Sequence, residues 1–152
     1  ESILYLVESG STPRNIYAYD LTDGGKRLTR KRTFLDAGPG TPDGMRCDVD
    51  GNIWFGWGMG SAELDGVVIY NPDGRLIGRI ALPERCANLC FGGLARNRLF
   101  MAASKSVYAL YVNTQGAVGG GKPARAPRPR LNSSVQAGAR THNSRRPTDR
   151  SR

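Results

Sequence analysis

Short apolar runs separated by turn-forming residues recur over most of the chain. Residues 3–7 read Ile-Leu-Tyr-Leu-Val and stop at Glu-Ser-Gly-Ser-Thr-Pro; residues 16–21 read Ile-Tyr-Ala-Tyr-Asp-Leu and stop at Thr-Asp-Gly-Gly. Further runs cover 45–49, 53–56, 67–70, 75–80, 88–91, 98–102 and 107–112, with breaks such as Asp-Gly-Asn and Asn-Pro-Asp-Gly between them. Runs this short, rich in β-branched and aromatic residues and spaced by roughly ten positions, predict the strands of an all-β sandwich, barrel or propeller. No window carries apolar residues at the spacing of a helix face.

The runs repeat. Leu-Tyr-Leu-Val-Glu-Ser (4–9), Ile-Trp-Phe-Gly-Trp-Gly (53–58) and Leu-Phe-Met-Ala-Ala-Ser (99–104) share one character. Each is followed by a strand with an apolar-Tyr pair: Ile16-Tyr17, Ile69-Tyr70 and Val107-Tyr108. The first set recurs after 49 and 46 residues, the second after 53 and 38. A period of about 40–50 residues with about four strands in each is the signature of propeller blades. Residues 1–117 therefore predict about two to three blades. Blades bury their faces against neighbours, so a chain with so few is expected to be a piece of something larger.

Composition changes after residue 117. Of the net charge of +9, residues 1–116 supply +1 (13 Lys and Arg against 12 Asp and Glu) and residues 117–152 supply +8 (nine basic residues against Asp149). From 118 to 152 the large apolar residues are Val118, Leu131 and Val135. Such a segment cannot offset the entropy of its own ordering, so a disordered, basic Gly/Pro/Arg-rich tail is expected over 118–152. Its charge suits phosphate, but no aromatic is interleaved for base stacking, and a nucleic-acid partner is not expected.

No apolar run approaches the ~18 residues of a membrane helix, so no membrane span is expected. The expected location is cytoplasmic. Periplasmic and secreted locations stay open, because Glu1-Ser2 without a Met reads as a beginning already lost. Cys47, Cys86 and Cys90 make neither a paired framework nor the four-ligand set of a zinc site, and read as thiols.

The most distinctive stretch is Thr41-Pro-Asp-Gly-Met-Arg-Cys-Asp-Val-Asp-Gly-Asn-Ile-Trp-Phe. With Ile16-Tyr-Ala-Tyr-Asp-Leu before it, and Val68-Ile-Tyr-Asn-Pro-Asp-Gly-Arg-Leu, Ile80-Ala-Leu-Pro and Asn88-Leu-Cys-Phe-Gly-Gly after it, this resembles the gluconolactonase/regucalcin family, also known as senescence-marker-protein and luciferin-regenerating-enzyme-like proteins. The resemblance runs from residue 1 to about 117. It implies a six-bladed β-propeller, here its C-terminal part, with one divalent cation in the central channel. Calcium is the expected ion, with zinc, manganese and magnesium as alternatives. The implied activity is hydrolysis of small-molecule sugar lactones.

By the same resemblance Asp43, in Pro42-Asp43-Gly44, is both the metal-binding aspartate and the catalytic general base. A hard cation takes carboxylate oxygens and can acidify bound water. The family's other ligands, a glutamate near its start and an asparagine in an Asn-Gly segment, have no counterpart in this sequence. The chain is accordingly expected to be an N-terminally truncated and inactive piece of a metal-dependent lactonase. A non-catalytic propeller serving as a binding or scaffold module is the alternative. Its oligomeric state is not legible.

Other residues have plainer readings. Asp48, Asp50 and Asn52 lack the glutamate and loop length of a calcium loop, and predict a hairpin turn. Trp54 and Trp57 sit at strand spacing and predict packing between blades rather than a ligand funnel. Asn88 is expected to be structural, with a channel-facing role as the alternative. The Gly-x-Ser-x-Gly pattern is absent, and residues 1–117 hold no histidine for a serine triad.

Overall fold

The computed structural model describes residues 2–118, so the expected tail over 118–152 falls, beyond Val118, outside the described residues. The fold is all-β. Ten strands run in chain order: β1 (Ile3–Glu8), β2 (Asn15–Thr22), β3 (Arg27–Asp36), β4 (Met45–Cys47), β5 (Ile53–Trp57), β6 (Gly66–Tyr70), β7 (Leu76–Ala81), β8 (Cys86–Gly92), β9 (Arg98–Ala103) and β10 (Val107–Tyr111). They form three antiparallel sheets, β1-β2-β3, β4-β5-β6-β7 and β8-β9-β10, each with neighbouring strands adjacent in sequence. These are successive blades of a β-propeller. The repeat in the sequence falls on equivalent strand pairs: β1–β2, β5–β6 and β9–β10, each an antiparallel neighbour pair.

The strand list differs from the sequence reading at one element. Residues 27–36, Arg-Leu-Thr-Arg-Lys-Arg-Thr-Phe-Leu-Asp, form the outer strand β3, which the hydrophobic pattern does not announce. An edge strand solvated on its outer side needs few apolar positions, and its Arg and Lys side chains block edge-to-edge pairing with other chains. Its pairing with β2 carries two register irregularities, which further obscure alternation.

Strands β5 and β6 of the middle sheet are buried on both faces, which is why β5 reads as a continuous apolar run. Ile53, Phe55 and Trp57 point to one side and join Ile16 of β2 and Val68 in a first core. Trp54, with Val67 and Ile69 of β6, points to the other and meets Cys86, Leu89, Leu99 and Met101 of the third sheet. Both tryptophans pack between sheets as expected. Trp54 meets Phe91 edge-to-face at 5.3 Å, and Trp57 meets Phe55 at 6.3 Å.

The Asp48–Asn52 turn is the predicted hairpin, with a feature the pattern did not show. Asp48 is 2% exposed and is the buried charged residue among the described residues. Its carboxylate accepts four hydrogen bonds, from the Asp50 and Asn52 backbone N–H groups, the Asn52 side-chain amide and the Trp54 indole, at 2.9–3.0 Å. A buried carboxylate is tolerable only when its lone pairs are filled in this way. The turn also pairs with the end of the described chain. Asp48 bridges Gly116, and the Val49 N–H donates to the Gln115 carbonyl at 2.9 Å.

Asp48→Ala strips the partner from the Trp54 indole and from the Asn52 N–H inside the fold. A loss of about 2–4 kcal/mol is expected, from donors stranded at roughly 1–3 kcal/mol each. Urea unfolding followed by tryptophan fluorescence measures it; a change below about 1 kcal/mol would mean the turn reorganises without cost.

Candidate functional site

Residues 40–44 lead from β3 into β4, and hydrogen bonds to Gly58, Arg14, Gly56 and Ala87 fix them. The Thr41 hydroxyl donates to the Gly58 carbonyl. Arg14 donates to the Pro42 carbonyl at 3.2 Å. The Asp43 N–H donates to the Gly56 carbonyl at 3.0 Å, and the Gly44 N–H donates to the Ala87 carbonyl of β8 at 2.8 Å. Gly56 in turn donates back to the Gly44 carbonyl at 2.8 Å, so Asp43 continues the β4–β5 ladder into the site.

Two glycines make the close approach possible. A Cβ on Gly44 would lie 2.3 Å from the Asn88 Oδ1 and 2.8 Å from the Asn88 Cα; one on Gly56 would lie 2.6 Å from the Cys86 carbonyl oxygen. Pro42-Asp43-Gly44 is therefore a three-way junction of β4, β5 and β8, not an exposed turn. Asn88, read from sequence as structural, has its side-chain oxygen accepting the Leu89 N–H at 2.8 Å while lying against Gly44. The structure thus brings Asp43 and Asn88 into one neighbourhood.

The Asp43 side chain is 45% exposed and ion-paired to Arg85, Nη2 to Oδ2 at 2.6 Å, with Arg85 at 26%. Arg85 precedes β8, and 42 residues separate the pair in sequence. Its Nε is shielded from solvent and has no hydrogen-bond partner. Arg85 also lines an open cleft of about 700 Å³ with Ser61, Asp65, Glu84, Ser104 and Lys105. Asp43 was legible from its motif. Arg85 was not, because nothing in Leu82-Pro83-Glu84-Arg85 marks the arginine as aimed at a distant carboxylate.

Two titrating groups flank this pair. Local burial pushes the Glu84 carboxyl upward, but hydrogen bonds from Ser106, the Lys105 N–H and the Tyr108 hydroxyl, with the Lys105 charge, outweigh it and hold it below the usual carboxylate range. Burial pushes the Cys86 thiol up, and the nearby Asp43 charge adds to that. No disulfide joins the cysteines.

Among the described residues, no three of His, Cys, Asp and Glu converge on a point that would hold a metal ion. A hard cation such as calcium takes about six to eight oxygens. Asp43 offers one carboxylate, already paired with a guanidinium, so the described residues do not by themselves fit the cation. No helix among them is long and apolar enough to cross a membrane.

Comparison with known proteins places this geometry. The family described as SMP-30/Gluconolactonase/LRE-like region matches residues 1–105, and the chain belongs to that family. Among its relatives are a gluconolactonase of Zymomonas mobilis, 30% identical over 76% of this chain and 33% of its own length, and the pentonolactonase XacC of Haloferax volcanii, 32% identical over 77% and 35%. A solved gluconolactonase from Xanthomonas campestris superposes with a TM-score of 0.61 at 30% identity, covering 73% of this chain and 34% of that one. The chain spans about a third of the length of the curated relatives it matches.

Two outcomes test the site's packing. Gly44→Ala is expected to push β8 away from β4 and cost about 1–3 kcal/mol as an overpacked junction, read by urea unfolding. A thiol reagent at pH 8 should label exposed Cys90 quickly and buried Cys86 slowly, since desolvation disfavours the Cys86 thiolate. Equal rates, read by peptide mass spectrometry on the folded chain, would mean β8 opens readily.

Proposed function

We propose that this chain is the Asp43-bearing portion of a lactone hydrolase acting on sugar lactones. One observation carries the reading. The family's Pro-Asp-Gly segment presents Asp43 as an exposed carboxylate on a hydrogen-bonded three-strand junction, paired to an arginine that lines an open cleft. A carboxylate so held can accept a proton from water as that water attacks the lactone carbonyl. The carbon–oxygen bond of the ring then breaks, and the ring oxygen takes up a proton to leave a hydroxy acid. Rigid placement matters because a general base works only within hydrogen-bond reach of its proton.

A divalent cation, calcium before zinc, manganese or magnesium, belongs to this reading only as far as Asp43 contributes one ligand. Among the described residues no cluster of three His, Cys, Asp or Glu side chains completes such a site. The Asp43–Arg85 pair is the observation that favours the alternative, a non-catalytic propeller module, since it neutralises the carboxylate.

A chimera separates the two. Residues 1–117 replace the matching third of the Zymomonas gluconolactonase, and hydrolysis of glucono-lactone is followed with added calcium. The 152-residue chain alone is expected to match buffer. The chimera is expected to turn over, with Asp43→Asn lowering kcat by about 10²–10⁴-fold. An active chimera indifferent to Asp43→Asn would refute the role given to Asp43, and an inactive, folded one would favour the binding module.

A further inference from the structure

We infer that two copies of this chain close one ring of blades, each laying the outer face of its first sheet on the outer face of the other's third sheet. The observation is a difference between equivalent positions of the three sheets. Along β1, β5 and β9 the repeat aligns Leu4 and Leu6 with Ile53 and Phe55, and with Leu99 and Met101. In the second and third sheets these side chains face the preceding sheet and are at most 1% exposed. In the first sheet Tyr5 and Val7 pack towards the second, so Leu4 and Leu6 point the other way, 38% and 41% exposed. Along β2, β6 and β10 the repeat aligns Ile16, Ile69 and Val107. Ile16 and Ile69 face the following sheet at 0% and 7% exposure, whereas Val107 is 73% exposed.

The two outer faces are thus the halves of one more contact of the kind the chain already makes twice. One half is Leu4 and Leu6 with their cross-strand partners Tyr19 and Tyr17. The other is Phe100, Val107 and Tyr111, on the side of β9 and β10 away from the core formed by Leu99 and Met101. Blades bury such faces against their neighbours. Residues 119–152 hold Leu131 and Val135 as their large apolar side chains, too few to cover even one face. A second copy carries both complementary halves. Contact between unlike faces runs head to tail and ends in a ring only if the rotations close. Propellers close with about four to eight blades, and six alone among the multiples of three lies in that range. That sets the number of copies at two. The pairing uses no part of the Asp43 site and is independent of the lactonase reading.

The experiment is sedimentation velocity with light scattering on the 152-residue chain. At roughly 100 μM the expected mass is twice that of one chain, falling towards one chain on dilution. Each interface joins a first-sheet face to a third-sheet face, so a substitution on either face enters both interfaces. Val107→Asp and Leu6→Asp are each expected to weaken dimerisation by about 10²-fold or more, since an unpaired charge is then buried. Leu94→Asp, in the turn between β8 and β9, is expected to leave it unchanged. In a chain carrying Leu6→Cys and Val107→Cys, a short bis-maleimide should join position 6 of one copy to position 107 of the other, read by peptide mass spectrometry.

A monomer at that concentration, folded or not, would overturn the ring. So would a dimer indifferent to both Val107→Asp and Leu6→Asp, or one that Leu94→Asp dissociates equally. Cross-links joining position 107 to 107 would mean like faces meet, and assemblies growing beyond two copies would mean the rotations do not close; either removes the proposal. Should Leu6→Asp fail to fold, Val107→Asp at an exposed position and the cross-link still decide.

Discussion

The buried carboxylate of Asp48 is the constraint on which the described fold turns. It is sealed from water and filled by four donors, and those donors belong to parts that must be placed together. The turn N–H groups set the β4–β5 hairpin, and hence the register that puts Asp43 opposite Gly56. The Trp54 indole reaches the carboxylate from the core between the second and third sheets. The backbone on either side of Asp48 takes in the end of the described chain, where the Ala117 N–H donates to the Cys47 carbonyl at 2.9 Å. Hydrophobic burial supplies most of the driving force but has no direction. The carboxylate supplies direction, because its burial is tolerable only where donors such as these four are in place.

That arrangement explains which parts of the fold were legible in sequence. Nine of the ten strands coincide with apolar runs, and the repeat located three equivalent pairs, because those strands carry apolar side chains whether or not the described residues cover them. Strand β5, covered on both sides, gave the strongest signal in Ile-Trp-Phe-Gly-Trp. The strand that left no pattern, Arg27–Asp36, lies at an outer edge where solvent accepts Arg and Lys at most positions. Likewise Asp48 looked like one acid in an acidic turn. Its burial depends on Trp54 and on residues 115–117, which local reading cannot bring together.

The candidate site divides along the same line. Asp43 was legible because a short motif fixes it: Pro42 and Gly44 have backbone reasons to flank it, and the glycine's reason is the approach of Asn88. Arg85 was invisible because its role exists only when β8 lies against β4, and contact across 42 residues carries no local signature. Asn88 is intermediate. The apolar run it heads was readable, while its place inside β8 and its contact with Gly44 were not.

The strength of the Asp43–Arg85 pair decides how these observations bear on function. Both side chains are partly open to water, which screens their attraction, and pairs in such settings contribute roughly 0.2–1 kcal/mol. That is at most about a fivefold preference, since 1.4 kcal/mol is needed for tenfold. A lock of that size does not commit Asp43 to a structural role. The rigid part of the site is the backbone beneath it, held by Gly56 and Ala87, so the carboxylate can change partners without moving the strand that carries it. A carboxylate on a fixed base with a weakly held counter-charge is suited to exchange. Whether its partner is a guanidinium, a cation or a reacting water then depends on what else occupies the cleft, not on any rearrangement of the fold.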